Sequence, residues 1–471
     1  MPGWLDTSPS RRKRHFTAPI SRLETHRILP HILPASPFPN PMPALRRNPA
    51  LLAALAVMLA IGGGAWWWYC RPSSPPPPPP CALSALARLP DWSLLDAYQH
   101  SITRAEFELL LMTAFTTSDT WREFIQVSDD GARIQTGEAP PTAVYQLAFR
   151  TTTARPTPPR YWRGVAELPP APPGKPLAQL RIAIDPGHIG GAWAEIEERC
   201  LTVGTQPPVR EGDLTLAVAK LLKPRLEALG ATVFLVRETT EPLTPLRPAA
   251  LLEIAKQQAP PGSTESPQKL AERLFYRTAE IRARADLVNT TLKPDLVLCL
   301  HFNAEAWGSA ANPLLVDRSH LHLLVNGAYG DDEIRLADQR FAMLHKLLQG
   351  THAEEVLIAA DVAEAMATAT GLPPYHYPSG SGTVLAVPGQ PYVWARNLLA
   401  NRLYECPVVF LEPYVMNSRT DFARLVAGDY DGLRKINARP RQSIFREYAD
   451  ALVAGLTHHF TRYRQPTPPP P

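Results

Sequence analysis

Apolar and polar positions change their rhythm near residue 180. From there short apolar runs alternate with longer stretches of helical spacing. Leu180 to Ile184, Thr232 to Val236, Leu296 to Leu300 and Val408 to Leu411 read as strands, the last two apolar at every position, as in strands buried on both faces. Between them Leu214, Val218, Leu221, Leu222, Leu226 and Leu229 recur at helical spacing, with Asp213 as the expected N-cap, Gly230 as the stop and Pro224 as the expected site of a kink. Leu270 to Val288 and Ile444 to Phe460 read as further helices. This alternation predicts an α/β fold: a mainly parallel twisted sheet covered by helices on both faces.

The first third of the chain is patterned differently. Residues 1–49 are Pro-rich and aperiodic and read as a disordered basic arm. Ala50 to Tyr69 carries no charge over 20 residues and ends in Trp66-Trp67-Trp68-Tyr69. That length spans a bilayer, and the aromatic cluster suits a headgroup interface. The run reads as a transmembrane anchor, with a cleaved signal segment as the rival and Met42, ahead of Arg46-Arg47, as an alternative start. Residues 70–80 form a Pro-rich spacer. Residues 81–165 read as a small α+β accessory domain, with helix-like patches (Phe107, Leu110, Leu111, Phe115) and a hairpin around Asp129-Asp130-Gly131. Residues 166–179 are a second Pro-rich linker, 180–465 the main domain, and Pro466 to Pro471 a low-complexity tail.

Charge narrows the function classes. The net charge is +4, but residues 1–47 hold eight Lys/Arg against two acids, so the remainder is near neutral and carries no nucleic-acid footprint. Cysteines at 70, 81, 200, 299 and 406 match no zinc-binding spacing. Cys70 and Cys81 flank Pro75 to Pro80. A polyproline rod rises about 3.1 Å per residue, which separates them beyond the roughly 7 Å limit of a disulfide, so free thiols are expected.

The chemistry gathers at strand ends. His188, His301 and Glu412 each sit just beyond the carboxyl end of an expected strand, where sites form in parallel sheets. Glu211 opens the first long helix on the same side. Two histidines and one glutamate suffice for a catalytic zinc with water in the fourth place, and a second glutamate can handle protons. Each residue also has an ordinary reading: a turn residue, a core histidine, a helix-start acid or an ion-pair partner. Glu195, Glu197 and Glu198 rival Glu211. Asp185 is expected to orient His188 or its loop rather than to bind metal. His320 and His322 share a strand face and read as edge or surface residues, His376 as part of a packed aromatic loop, and His458-His459 as a favourable helix end.

Ile184-Asp185-Pro186-Gly187-His188 with Gly190-Gly191, Arg210-Glu211-Gly212-Asp213-Leu214, the strand ending at Arg237, Cys299-Leu300-His301-Phe302-Asn303-Ala304, and Pro407 to Glu412 with Asn417-Ser418 stand in order along the chain. Together they resemble the motifs of the zinc-dependent N-acetylmuramoyl-L-alanine amidases of type 3. The resemblance implies zinc on His188, Glu211 and His301, with Glu412 as catalytic acid and base. It implies peptidoglycan as substrate, cut at the lactyl amide of muramic acid, and action in the cell envelope. The alternatives are a weakly catalytic wall-binding module on the same fold and a zinc hydrolase of another N-acyl amino acid. Ile189 and Phe302 depart from the family pattern, and residues 192–209, 238–269 and 305–395 are long for it. Helical spacing within residues 352–370 suggests a lid over the zinc site, displaced by an activator protein; the rival is a sheet-covering helix.

Overall fold

A seven-stranded sheet organises the protein, and its strands coincide with the apolar runs. The computed structural model describes residues 83–137, 143–153, 156–259, 264–309, 312–378 and 380–464. The expected basic arm, membrane segment and proline spacer, and the 466–471 tail, lie outside these residues, as do Cys70 and Cys81. Among the described residues no helix is long and apolar enough to cross a membrane, and Cys200, Cys299 and Cys406 are free thiols.

In chain order the sheet comprises β1 (Arg181–Pro186), β2 (Thr232–Leu235), β3 (Leu296–Leu300), β4 (Leu321–Val325), β5 (Leu385–Ala386), β6 (Val393–Ala395) and β7 (Val408–Pro413). They lie in the spatial order β5-β6-β4-β7-β3-β1-β2. β2, β1, β3 and β7 are mutually parallel, whereas β4 runs antiparallel to β7. His320 therefore just precedes an interior strand and His322 lies within it, and both are buried. Edge or surface placement is corrected because β6 continues the sheet beyond β4.

Strict alternation fills both faces. Ile182, Ile184, Leu298, Leu300, Leu323 and Leu411 enter one core, with α1 (Glu211–Ala228), α2 (Thr351–Thr370) and α3 (Ile444–Tyr463). Ala183, Val297, Cys299, Leu324, Val408 and Phe410 enter the other, with Ala285, Val288 and Tyr404. The expected 270–288 helix is a helical run from Pro267 to Leu292 that contains two π-helical segments. Pro224 lies inside α1. The α1 N-cap is Arg210 rather than Asp213, so Glu211 is the first helical residue.

The 352–370 segment is a sheet-covering helix and not a lid. Ile358, Ala359, Val362, Ala363 and Met366 of α2 are buried against the sheet and α3. Gly455 of α3 permits the close crossing, since a β-carbon there would stand 2.6 Å from the Val362 Cα. At the start of α2, Glu355 accepts the Asn326 and Val408 amides. Val408 begins β7, so this end of α2 sits at the amino end of that central strand, the end away from Glu412. His459 is also buried, with Nδ1 2.8 Å from Asp361 of α2. It joins two helices instead of capping one.

The earlier segment forms a three-stranded antiparallel unit, Ile125–Val127, Gly131–Gln135 and Val144–Ala148, with the expected hairpin as its first pair. Its apolar cluster, with Phe107, Leu111, Phe115 and Trp121, also contains Ile334, Met343, Leu344 and Leu347.

Lys346 is buried, 3.1 Å from Glu355, and donates to the carbonyls of Asn401, Tyr404 and Cys406. Removing one partner of such a pair leaves the other charge buried and unpaired. Lys346→Ala is expected to lower stability in urea unfolding by about 3–5 kcal/mol. A loss of about 1 kcal/mol or less would mean that the charge is hydrated rather than buried.

Candidate metal centre

The site is built around a loop whose carbonyls are held from behind. β1 ends at Pro186, and the chain turns through Gly187 to His188, whose φ is +59°. Two buried arginines fix this turn. Arg237, just past β2, donates to the carbonyls of Pro186, Gly187 and Gly212. Arg284 donates to the carbonyls of Pro186 and His188 and to Asp185. Burial pulls the Arg237 guanidinium down to about 9, with Arg284 adding to the effect. Asp185 thus acts on the loop backbone through Arg284, and Tyr404 Oη donates to its other oxygen at 2.6 Å.

Glycine is required at the points of closest approach. A β-carbon on Gly187 would lie 2.2 Å from the His301 ring, and one on Gly212 would lie 2.3 Å from the Gly190 nitrogen. The loop and the start of α1 therefore touch backbone to backbone, and Gly191 N donates to Asp213 at 2.7 Å.

His188, Glu211 and His301 converge. One ligand atom from each lies within 4.8 Å of the others. His188 Nε2 is 3.2 Å from Glu211 Oε2, and His301 Nδ1 is 3.0 Å from Glu211 Oε1. The two imidazoles thus meet different oxygens of one carboxylate, and the donor set, two nitrogens and a carboxylate oxygen, is of the kind a zinc ion takes. All three residues come from the expected positions. The His301 ring stacks on Phe410 at 4.2 Å.

Burial and charge oppose one another here. Burial would lower His188, but Glu211 and Glu197 outweigh it and raise the imidazole to about 9. Burial would raise Glu211, but the two histidines hold it well below the usual carboxylate range. Burial keeps His301 below its ordinary value. A cation entering this site must displace the proton on His188, so binding and proton release are linked.

Glu197 was only a rival for Glu211 in the sequence. It accepts the amides of Ile189 and Gly190 at 2.8 and 2.9 Å, and it lies 3.4 Å from His188 Nδ1. A carboxylate on Nδ1 turns Nε2 toward Glu211, the usual arrangement behind a metal-bound imidazole. No local motif in the sequence announces this role.

Glu412 is the penultimate residue of β7. Cα pairing places His322 directly opposite it on β4. By the same alternation Asp185, His301, His322 and Glu412 take the face of Ala183, Cys299, Leu324 and Phe410. Burial, then the negative charge of Glu211, pushes Glu412 up to about 8. His322 is held well below its ordinary value by burial, and Tyr377 Oη lies 3.1 Å from its Nε2. Tyr375 and Tyr377 pack on His322, while His376 between them is exposed.

The two family departures have structural reasons. Ile189 is fully buried in a cluster with Leu251, Ala255, Leu274 and Phe275, so it gives residues 238–279 an apolar seat. Phe302 packs against Tyr414, Phe445 and Tyr448 and ties the end of β3 to α3.

No curated protein sequence matches the chain. Among solved structures it resembles the N-acetylmuramyl-L-alanine amidase Ami1 of Mycobacterium smegmatis at 16% identity, over 60% of this chain and 98% of that one, with a TM-score of 0.34. It also resembles the CwlD amidase of Clostridioides difficile, solved with the GerS lipoprotein, at 14% identity, over 60% and 99%, with a TM-score of 0.33. The catalytic domain of the amidase CwlV from Bacillus (Paenibacillus) polymyxa is similar at 15% identity, over 60% and 99%, with a TM-score of 0.32. The family model described as N-acetylmuramoyl-L-alanine amidase matches residues 182–437, more than half of the chain and a span that holds His188, Glu211, His301 and Glu412, and this protein belongs to that type 3 amidase family.

Proposed function

We propose that the chain is a zinc-dependent hydrolase of the amide joining N-acetylmuramic acid to L-alanine in peptidoglycan. The observation that carries this reading is the buried His188–Glu211–His301 donor set, with the raised carboxyl of Glu412 in the electrostatic field of Glu211. His188, Glu211 and His301 hold the ion, and Glu197 orients His188. Zinc supplies Lewis acidity, acidifying water and polarising a carbonyl. Glu412 takes a proton from the attacking water and delivers it to the leaving amine. A carboxyl raised toward neutrality suits both transfers, because the best catalytic pKa lies near the working pH. The uncharged run Ala50 to Tyr69 and its preceding arginines support delivery of residues 180–465 to the envelope by an anchor or a signal, with residues 81–165 as an accessory part.

Digestion of purified sacculi tests the reaction. New free L-alanine amino termini, paired with intact muramic acid, are expected; new reducing sugar ends alone would identify a different bond.

Elemental analysis tests the ligands. Alanine at His188, Glu211 or His301 is expected to lower the zinc content from one ion per chain, and full occupancy in His301→Ala removes His301 from the set. Glu412→Gln is expected to keep zinc and lose about 10²–10⁴-fold in turnover, the range for a lost acid–base group.

Glu412 also makes a prediction about stability without metal. Its folded pKa, about 8, lies above the unfolded value, so between those values the unfolded state releases the proton first. This group's contribution is full below the unfolded pKa and is lost as pH rises through the folded one. In chelator, Glu412→Gln should therefore gain stability relative to the parent between about pH 5 and about pH 8, read by urea unfolding at both ends. An equal difference at both pH values would place the titration elsewhere.

A further inference from the structure

A second polar site lies behind the first. The chain from Arg434 to Arg441 folds as a hairpin, with Arg434–Ile436 paired antiparallel to Arg439–Arg441. Asn437 and Ala438 both have positive φ, +50° and +64°, as a tight two-residue hairpin turn demands. The hairpin holds four basic residues and no acid. Between it and the helix Arg419–Val426 is a cavity of about 300 Å³ lined by Thr420, Arg424, Ile436, Asn437, Arg439 and Arg441.

Thr420, Asn437 and Arg439 line the open side of this cavity, Ile436 and Arg441 are half-buried, and Arg424 forms its buried floor. Arg424 is buried at 4% exposure. Its terminal nitrogen is 3.0 Å from Glu447 and 3.3 Å from the Gln442 carbonyl, yet its Nε has no acceptor. Among the described residues no carboxylate pairs with Arg439 or Arg441. The nearby acids are engaged elsewhere: Asp429 and Asp431 with Arg446, Asp450 with Arg225, and Asp421 with Ser319 and the Val415 amide. Guanidinium groups present planar forks that match the oxygens of carboxylates and phosphates, and Asn437 and Thr420 add an amide and a hydroxyl.

The pocket is linked to the metal centre by packing. Glu447, which holds Arg424, also accepts from Tyr414 Oη at 2.9 Å, and the Tyr414 ring stacks on Phe302. Phe302 follows His301 and donates its amide to Glu211 at 3.2 Å.

We propose that this cavity binds an oxyanion, carboxylate or phosphate, carried by the polymer whose amide is cut at the metal centre. The identity of the polymer rests on the peptidoglycan reading; the anion specificity does not. Binding there gives the enzyme a second hold on its substrate, away from the reacting bond.

The full chain carrying Glu412→Gln, which leaves sacculi intact, is compared with the same chain also carrying Arg439→Gln and Arg441→Gln. Inorganic phosphate is titrated by calorimetry at constant ionic strength. The double substitution should weaken binding about tenfold or more, the effect of losing charge-assisted hydrogen bonds. Equal affinity in the two proteins, or no saturable binding in either, overturns the proposal. Arg439→Lys with Arg441→Lys retains charge and should recover part of the affinity, which a folding defect would not.

Co-sedimentation then separates the sources. Sacculi stripped of phosphate polymers or with amidated peptide carboxylates are offered to both proteins. Whichever treatment removes the advantage of the parent names the ligand group. An advantage that survives both treatments overturns the assignment to an oxyanion. Retained cleavage of a soluble N-acetylmuramoyl peptide by Arg439→Gln/Arg441→Gln with Glu412 left intact keeps the amidase reading separate from this one.

Discussion

Everything at the metal centre depends on one carboxylate buried between two imidazoles. Glu211 begins α1, so the helix N-terminus favours its negative charge. His188, His301 and the Phe302 amide surround it, and Arg199 Nε lies 3.4 Å away. A buried carboxylate is costly unless it is paired and hydrogen-bonded. That requirement draws the ends of β1 and β3 and the start of α1 to one point. The arginines behind the loop serve the same requirement. Arg237 and Arg284 donate to the buried carbonyls of this loop, with Thr215 Oγ1 sharing those of Gly187 and Gly212, and so hold His188 in its left-handed conformation.

The second constraint is the alternation of the strands. Residues two apart along a strand share a face, so a chemical group two residues beyond Cys299, or two beyond Phe410, must emerge on the same side as those apolar residues. His301 and Glu412 inherit their direction from the core positions before them. A one-residue slip in register would send either to the opposite face, which makes the apolar packing of β3 and β7 part of how the site is specified.

Much of this was legible along the chain. The buried strands and the long helices follow from uninterrupted apolar runs and helical spacing, and the grouping of His188, Glu211 and His301 from their places at element ends. Glu197 and Arg284 were not, because their partners (two backbone amides and a ring nitrogen for Glu197, two carbonyls and the Asp185 carboxylate for Arg284) are brought near by the fold, and neither belongs to a local pattern. His320 and His322 were misplaced for a related reason. Whether a strand lies inside a sheet depends on β6, a three-residue strand far along the chain. The segment proposed as a lid shows the same limit: alanine at helical spacing fits any close surface, and only the sheet and α3 together decide that the surface is a core.

The placement of α2 bears on how the protein can change over time. This helix starts at the sheet end marked by Val408, crosses the sheet, and releases the chain into Pro373-Pro374-Tyr375-His376-Tyr377, where Leu321 and Pro374 pair and Tyr377 meets His322. It runs for 20 residues between glycines at both ends. Adding or deleting one residue inside it would move the following loop by about 1.5 Å and rotate it by about 100°, pulling both tyrosines off their partners. Insertions and deletions in related sequences should therefore gather in the loops on either side of this helix, and its length should vary less than its composition.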